Sequence, residues 1–215
     1  MYLPALRKVQ GTPVVVWGMQ WVIAGLGNPG EAYKDTRHNA GRDMLILLAK
    51  KERFSEWKED KKSHVRTTKG VLFGKKVQLV LPDTYMNNSG RAFRGLITSK
   101  KDARQLVVLQ DELDMPVGEI KISFGSGSGG HRGVESVQQG LKTKEFVRIR
   151  IGISPVNSSG KLKKPAQEKI IDFVLGAFSA SETEKLKKAR RNVATALELL
   201  LTTGLPRAMT EINSR

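Results

Sequence analysis

Four loops of this 215-residue sequence carry polar side chains directly after apolar segments that have the pattern of strands. In chain order they hold Asn28 and His38, the segment TYMNNSG (residues 84–90), the segment DELD (residues 111–114) and the segment GSGSGGHRG (residues 125–133). Because open α/β sheets place their sites where parallel strands end, we expect these loops to meet in one cleft.

Two of the three histidines, His38 and His131, fall in these loops, and Asp111 follows a continuous apolar run. A histidine beside a carboxylate can act as a general base that the carboxylate orients and stabilises, as in hydrolytic sites. Asp111 and Glu112 could equally cap a helix or pair with a lysine, and the residues alone leave both interpretations open. His64 lies in a lysine-rich stretch without apolar neighbours, which predicts an exposed side chain.

A metal site and a serine nucleophile are both disfavoured. Two histidines and an aspartate could ligate zinc, but neither H-x-x-x-H nor H-x-H spacing occurs. No G-x-S-x-G motif is present, since Ser126 and Ser128 lie in a glycine-rich loop. The sequence has no cysteine, so disulfides and thiolate metal ligands are excluded. We therefore predict chemistry that needs no metal and no cofactor.

The glycines Gly25, Gly27 and Gly30 have the G-x-G-x-x-G spacing of a dinucleotide-binding loop. That loop must open a helix at once and be followed about 20 residues later by an acid that binds the ribose. Here a polar stretch follows Gly30, and the first convincing helix begins only near Gly41. We interpret the glycines as allowing a tight turn that projects Asn28 at the carboxyl edge of a sheet.

The net charge of +16 and the isoelectric point of about 10.2 predict a polyanionic partner. Lysine and arginine are spread along the chain, which could simply keep the protein soluble. A globular domain this basic usually binds nucleic acid, because each phosphate that it neutralises releases counterions. No apolar run reaches the ~18 residues that a membrane span needs, so we predict no membrane partner.

Strands alternate with helices along the rest of the chain, which indicates the α/β class. We predict strands before Gly25, on both sides of a turn at residues 74–76, and over residues 106–110, 118–124 and 147–153. We predict helices from Gly41, from near Asn87 or Ser89, over residues 133–142, and from Ser179, which Glu182 would help to cap. The hairpin makes the expected sheet mixed.

The predicted domain covers residues 19–205, with a flexible insert at residues 154–167 and a C-terminal tail at residues 206–215. We predict that residues 1–18 form an N-terminal extension that is either flexible or a targeting segment. The absence of acidic residues favours a targeting segment, whereas the low content of Ser and Arg argues against one. We therefore expect a cytoplasmic protein, or a mitochondrial or chloroplast protein if the extension is an address.

Several motifs together resemble the bacterial-type peptidyl-tRNA hydrolases. They are GLGNPGEAYKDTRHNAG, PDTYMNNSG, QDELDMPVG and GSGGHRG, followed by RIRIGI and FVLGAFS, and the resemblance as a whole covers about residues 21 to 200. The resemblance implies a monomeric single domain with a mixed, twisted sheet flanked by helices. It also implies cleavage of the ester that joins a peptide to the 3′ end of tRNA, with peptidyl-tRNA and the RNA phosphate backbone as partners.

The resemblance also implies roles for individual residues. His38 would be the general base and Asp111 its partner, and Asn28 would support catalysis by holding the ester. Residues expected to bind the substrate are Tyr33, Met86, Asn87, His131 and Arg132; those expected to bind the tRNA are Lys121 and Arg150.

Two positions depart from the family pattern. The usual GGHNG is GGHRG here, so Arg132 replaces an asparagine, and Ser123 stands where the family commonly has a phosphate-binding lysine. Relatives of this family include organellar splicing factors, so a non-catalytic RNA-binding protein of the same fold is the alternative function.

Overall fold

The computed structural model describes residues 5–9, 12–16 and 20–215. Strands β1 (Ala5–Val9) and β2 (Thr12–Val16) form a separate antiparallel pair. The remainder of the extension predicted for residues 1–18 lies outside the described residues. Within the described chain, no helix is both long enough and apolar enough to cross a bilayer.

A seven-stranded mixed sheet forms the centre of the molecule, which confirms the predicted α/β fold. Its strands, in the order in which they pair, are β4 (Lys58–Asp60), β5 (Val65–Leu72), β6 (Lys75–Pro82), β3 (Trp21–Gly25), β7 (Leu106–Pro116), β9 (Val147–Ser154) and β8 (Ile120–Phe124). The four central strands β6, β3, β7 and β9 are parallel, and the outer strands are antiparallel to their neighbours. The carboxyl ends of the central strands therefore meet at one edge.

Among the described residues, six α-helices flank the sheet. They are α1 (Ala40–Lys51), α2 (Lys100–Ala103), α3 (Arg132–Leu141), α4 (Ile170–Leu175), α5 (Ala180–Thr203) and α6 (Leu205–Asn213). The predicted start of α5 is confirmed: the Ser179 hydroxyl accepts from the Glu182 N–H, and the Glu182 carboxylate accepts from the Ser179 N–H.

The helix predicted near Asn87 or Ser89 is instead a 3₁₀ helix over Met86–Phe93. Asparagine, serine and glycine are weak α-helix formers, and this segment concentrates them. In addition, the N–H of Gly90 bonds to the hydroxyl of Ser136 on α3, and a β-carbon at Gly90 would overlap the Ser136 carbonyl. Packing against α3 therefore determines the local conformation.

The C-terminal tail predicted for residues 206–215 is wrong, because this segment lies mainly in α6. Ile212 is buried, and the Asn213 amide accepts from the Ile122 N–H at 2.7 Å and donates to the Ile122 carbonyl at 2.9 Å. Gly204 ends α5 and Pro206 lies in the first turn of α6, which are the usual signals for such a break. The domain thus extends through α6.

Both faces of the sheet are covered. One apolar cluster packs between the sheet and helices α1, α5 and α6 and includes Ile23, Leu45, Leu109, Ile149 and Leu197. A second cluster packs between the opposite face, the 3₁₀ helix and α3, and includes Leu26, Val80, Phe93, Val108 and Val137. The site must therefore lie where the strands end and not on a face of the sheet.

The glycines after β3 allow close packing, so the interpretation of Gly25 and Gly27 as a tight turn was wrong. Only Gly30 of the three has a positive φ, at 99°. A β-carbon at Gly25 would lie 2.6 Å from the Gly41 carbonyl oxygen, and one at Gly27 would lie 2.7 Å from the Arg42 β-carbon. A β-carbon at Gly41 would overlap the Leu109 carbonyl. Helix α1 consequently begins in direct backbone contact with β3 and β7.

Candidate active site

The carboxyl ends of β3 and β7 bring together the residues that we predicted to be catalytic. Asn28 follows β3, and His38 lies in the 3₁₀ turn Arg37–Asn39 that leads into α1. Asp111 lies within β7 and is only 4% exposed. The loop predicted at residues 111–114 is wrong, because β7 continues through this segment to Pro116. His131 caps the N-terminus of α3. The turn before α1 and the start of α3 thus meet at a carboxylate carried by β7.

Asp111 contacts both histidines. The Nδ1 atom of His38 lies 3.0 Å from each carboxylate oxygen, and the Nε2 atom of His131 lies 2.8 Å from Oδ1. The Nδ1 atom of His131 accepts from the N–H groups of Gly133 and Val134 at 3.1 and 3.3 Å. Because that nitrogen is an acceptor, the proton of neutral His131 lies on Nε2 and is donated to Asp111.

His38 has the opposite tautomer. Its Nδ1–H donates to Asp111, which leaves the lone pair of Nε2 as the basic site. The side chain is 15% exposed, and within the described chain no group bonds to Nε2. The geometry therefore suits a base that takes a proton from a water molecule in the cleft.

Electrostatics support this division of roles. Burial lowers the pKa of His38, but the charge of Asp111 and its hydrogen bond raise the pKa by more than burial lowers it. The net pKa of His38 therefore lies above its ordinary value, although the charge of Arg132 opposes this rise. Burial raises the pKa of Asp111, but His38 and His131 together hold it well below its usual range. Asp111 is therefore ionised throughout the physiological range.

Asn28 is fixed by hydrogen bonds to Asn39, the residue after His38, and to Met86. Asn39 accepts from the Asn28 N–H at 2.8 Å and donates to the Asn28 carbonyl at 3.0 Å. The Met86 N–H donates to Asn28 Oδ1 at 2.8 Å. Because Oδ1 is occupied in this amide orientation, the Nδ2 group is available to a ligand. Sequence analysis did not single out Asn39, although it lies directly beside His38 in the TRHNAG segment.

Tyr33 and Tyr85 form an aromatic pair on the loops that carry Asn28 and Met86. Their ring centroids are 6.3 Å apart in an edge-to-face arrangement, with Tyr33 half-buried and Tyr85 61% exposed. Asn87 is also exposed, whereas Met86 is buried. We missed Tyr85, whose signal was an aromatic residue within the polar segment TYMNNSG.

The residues expected to bind tRNA form a second group on β8 and β9. Lys121 lies opposite Arg150 in the antiparallel pair, and Ser123 lies opposite Arg148. The Arg150 Nε atom donates to Glu112 at 2.7 Å, so an acid neutralises much of its charge. Lys121 is exposed.

Sequence analysis also missed Arg148, which is 4% exposed. It donates to Gln110 and to Ser126 and has no acidic partner within the described chain. The hydroxyl of Ser123, opposite it, is buried without a hydrogen-bond partner among the described residues. Arg132, by contrast, is exposed in the first turn of α3.

His38, Asp111 and His131 also offer three ligand atoms within 4.8 Å of one another. Their contacts of 2.8 and 3.0 Å are hydrogen-bond distances, shorter than the roughly 3.3 Å between ligands of a tetrahedral zinc ion. The second ring nitrogen of His131 is already an acceptor for backbone N–H groups. The arrangement fits a hydrogen-bonded relay better than a metal centre.

A mixed α/β sheet with a histidine and a buried aspartate at its carboxyl edge defines a hydrolase-type site. Residues 22–215 match the family model for peptidyl-tRNA hydrolase. The chain therefore belongs to the peptidyl-tRNA hydrolase family.

Individual relatives agree with the family match over nearly the whole chain. The peptidyl-tRNA hydrolase of Herpetosiphon aurantiacus is 38% identical over 195 residues, covering 90% of each chain. That of Bacillus subtilis is 40% identical over 196 residues, covering 90% of this chain and 98% of the relative. The crystal structure of the Acinetobacter baumannii peptidyl-tRNA hydrolase superposes with a TM-score of 0.80 at 34% identity, covering 91% of this chain and 95% of that one.

Proposed function

We propose that this protein hydrolyses the ester between a peptide and the 3′ end of tRNA in peptidyl-tRNA, and so returns tRNA to translation. The observation that carries the proposal is the contact between His38 and the buried Asp111, in a chain that matches this family over residues 22–215. A carboxylate that orients a histidine is what water-mediated ester hydrolysis needs.

His38 acts as the general base. Its Nε2 atom takes a proton from water, whose oxygen attacks the ester carbonyl carbon, while Asp111 stabilises the imidazolium that forms. The Nδ2 group of Asn28 donates to the oxygen that becomes negative. When the bond to the ribose 3′ oxygen breaks, His38 returns the proton to that oxygen, and His131 keeps Asp111 in place through its Nε2–H.

The surrounding residues bind the two parts of the substrate. Tyr33, Met86 and Asn87 lie on the loops next to Asn28 and contact the peptide and the terminal ester. Lys121, Arg150 and Arg132 bind the tRNA phosphates in this proposal. We propose that the protein acts as a monomer in the cytoplasm, or in a mitochondrion or chloroplast if residues 1–18 direct it there.

The alternative is a non-catalytic RNA-binding protein of the same fold, and a release assay separates the two. The protein should free the peptide from N-blocked aminoacyl-tRNA, and His38→Ala should lower kcat by about 10² to 10⁴ while tRNA affinity stays within twofold. The exposed His64 provides the matched control, because His64→Asn should leave kcat unchanged.

Two outcomes would contradict the proposal. If the wild-type protein binds peptidyl-tRNA without releasing peptide, the RNA-binding alternative holds. If His38→Ala loses affinity and turnover equally, His38 is a binding residue and the assignment of the base is wrong.

A further inference from the structure

Arg37, the residue before the proposed base, is buried, and its guanidinium group contacts a carboxylate, a backbone carbonyl and two aromatic rings. Its Nη1 and Nη2 atoms donate to the two carboxylate oxygens of Glu182 at 3.0 and 2.9 Å, and Nη1 also donates to the Ile153 carbonyl at 3.2 Å. Both side chains are only 10% exposed. The guanidinium carbon lies 4.5 Å from the ring centroid of Phe173 and 4.8 Å from that of Phe178.

The same contacts attach the 3₁₀ turn of His38 to the start of α5. Glu182 is the residue that completes the cap of α5 through the Ser179 N–H, so the carboxylate that binds Arg37 is itself fixed by the helix. The backbone adds two links: the Arg37 N–H donates to the Gly176 carbonyl at 3.0 Å, and Thr36 forms a β-bridge with Ala177.

The energetics suggest that this ion pair serves geometry more than stability. Removing two charges from water costs several kcal/mol, which their attraction offsets only when the geometry is very good, and well-packed neutral side chains often replace such a pair at little cost. His38, in turn, has side-chain hydrogen bonds only to Asp111 within the described chain. Its ring position therefore depends on how firmly the turn that carries it is held.

We propose that Arg37 is a positioning residue, and that its bidentate pair with Glu182 holds the turn Arg37–Asn39 so that the His38 ring stays against Asp111. The kinetic part of the inference rests on the proposed function. Loss of the pair would let the ring move away from Asp111, which lowers the rate of proton transfer without weakening the binding of tRNA. Misplacement by about 1 Å can lower an enzymatic rate by about 10²-fold.

The test is the double variant Arg37→Met/Glu182→Gln, which leaves no unpaired charge, keeps an unbranched side chain between the two phenylalanines and retains a capping residue for α5. We expect it to fold, with KM within twofold of wild type and kcat at least tenfold lower. In imidazole NMR spectra the His38 pKa should fall, because the Asp111 contact that raises it is loosened. The control is the exposed ion pair on α6: the double variant Arg207→Met/Glu211→Gln should change neither kcat nor the His38 pKa.

A folded double variant with wild-type kcat and an unchanged His38 titration would overturn the proposal. A variant in which only KM rises would overturn it as well. If the double variant does not fold, Arg37→Lys decides: lysine keeps the charge but lacks the planar fork, so kcat and the His38 pKa should both fall. Wild-type values for both would again overturn it. The NMR measurement needs no substrate, so the inference can fail or succeed independently of the proposed function.

Discussion

A single carboxylate contacts two histidines that differ in the state of their second ring nitrogen. Asp111 accepts one hydrogen bond from an N–H of each ring. The Nδ1 atom of His131 caps α3, whereas the Nε2 atom of His38 is available to the cleft. Only His38 can therefore accept a proton without breaking an existing hydrogen bond. The difference arises from the backbone beside each ring and not from the identity of the side chain.

Arg132 should affect both the base and the tRNA. Its charge lowers the His38 pKa, so Arg132→Asn should raise that pKa further, and the acid limb of kcat/KM should move to higher pH because the base must be neutral. Affinity for tRNA should fall, and the slope of log K against log[salt] should decrease by about one. Above the acid limb, the rate at saturating substrate should equal or exceed that of wild type.

Pre-steady-state release and tRNA titrations between pH 5.5 and 8.5, with Arg207→Asn as the exposed control, would measure these effects. Unchanged affinity together with a collapse of the rate would make Arg132 a catalytic group and the phosphate assignment wrong.

The sequence predicted the residues around Asp111 better than it predicted the residues that hold them in position. His38, Asp111, Asn28 and His131 each lie in a recognisable polar segment after a predicted strand, so their positions predicted that these segments would meet, although β7 continues through Asp111 in the structure. Arg37 and Glu182 are 145 residues apart, and nothing local in either segment indicates that they pair. Tertiary contacts of this kind have no periodicity that a sequence could show.

At the scale of elements, the site depends on the direct contact of α1 with β3 and β7. The long, periodic elements were predictable, including the hairpin of β5 and β6 and the capped helix α5. Strand β4 and helices α2, α4 and α6 were missed, because three to nine residues carry too little periodic pattern to identify an element. None of these four carries the histidine relay.

Gly41→Ala should separate α1 from the sheet. The added β-carbon would overlap the Leu109 carbonyl, which is backbone and cannot rotate away. Overpacking of this kind costs about 1–3 kcal/mol of unfolding free energy, and the displacement should also reduce kcat because His38 and Asn39 directly precede the helix. Urea unfolding and the release assay would measure both.

The control for Gly41→Ala is Gly127→Ala, where an added β-carbon meets no atom of the described chain within 4 Å. Equal stabilities and rates for the two variants would show that α1 tolerates a wider separation than the structure indicates.

At the scale of the whole molecule, the net charge of +16 is far larger than the charge of the cluster of two histidines and one carboxylate at the site. The chemistry needs little surface, so most of the basic residues must serve association with the substrate or solubility. On the proposed function, the site recognises the ester, and we expect the remaining basic surface to attract a large polyanion.

Binding of peptidyl-tRNA should therefore weaken steeply with salt. Log K against log[KCl] should fall linearly, with a slope set by the number of phosphates neutralised. An N-blocked aminoacyl ester on a short CCA oligonucleotide is the matched substrate, and its slope should be smaller because it offers few phosphates. Equal slopes for the two substrates would mean that the basic surface does not contact the body of the tRNA.

The two hydrogen bonds between Asn213 and strand β8 also affect whether a second copy can pair with the sheet. An open sheet has two edges, and each exposes peptide groups that a second copy could pair with. At one edge, β4 is only three residues long and entirely charged. At the other, the Asn213 amide occupies the Ile122 peptide groups in the way a neighbouring strand would. Helix α6 therefore leaves the Ile122 peptide groups unavailable for edge-to-edge pairing with a second copy.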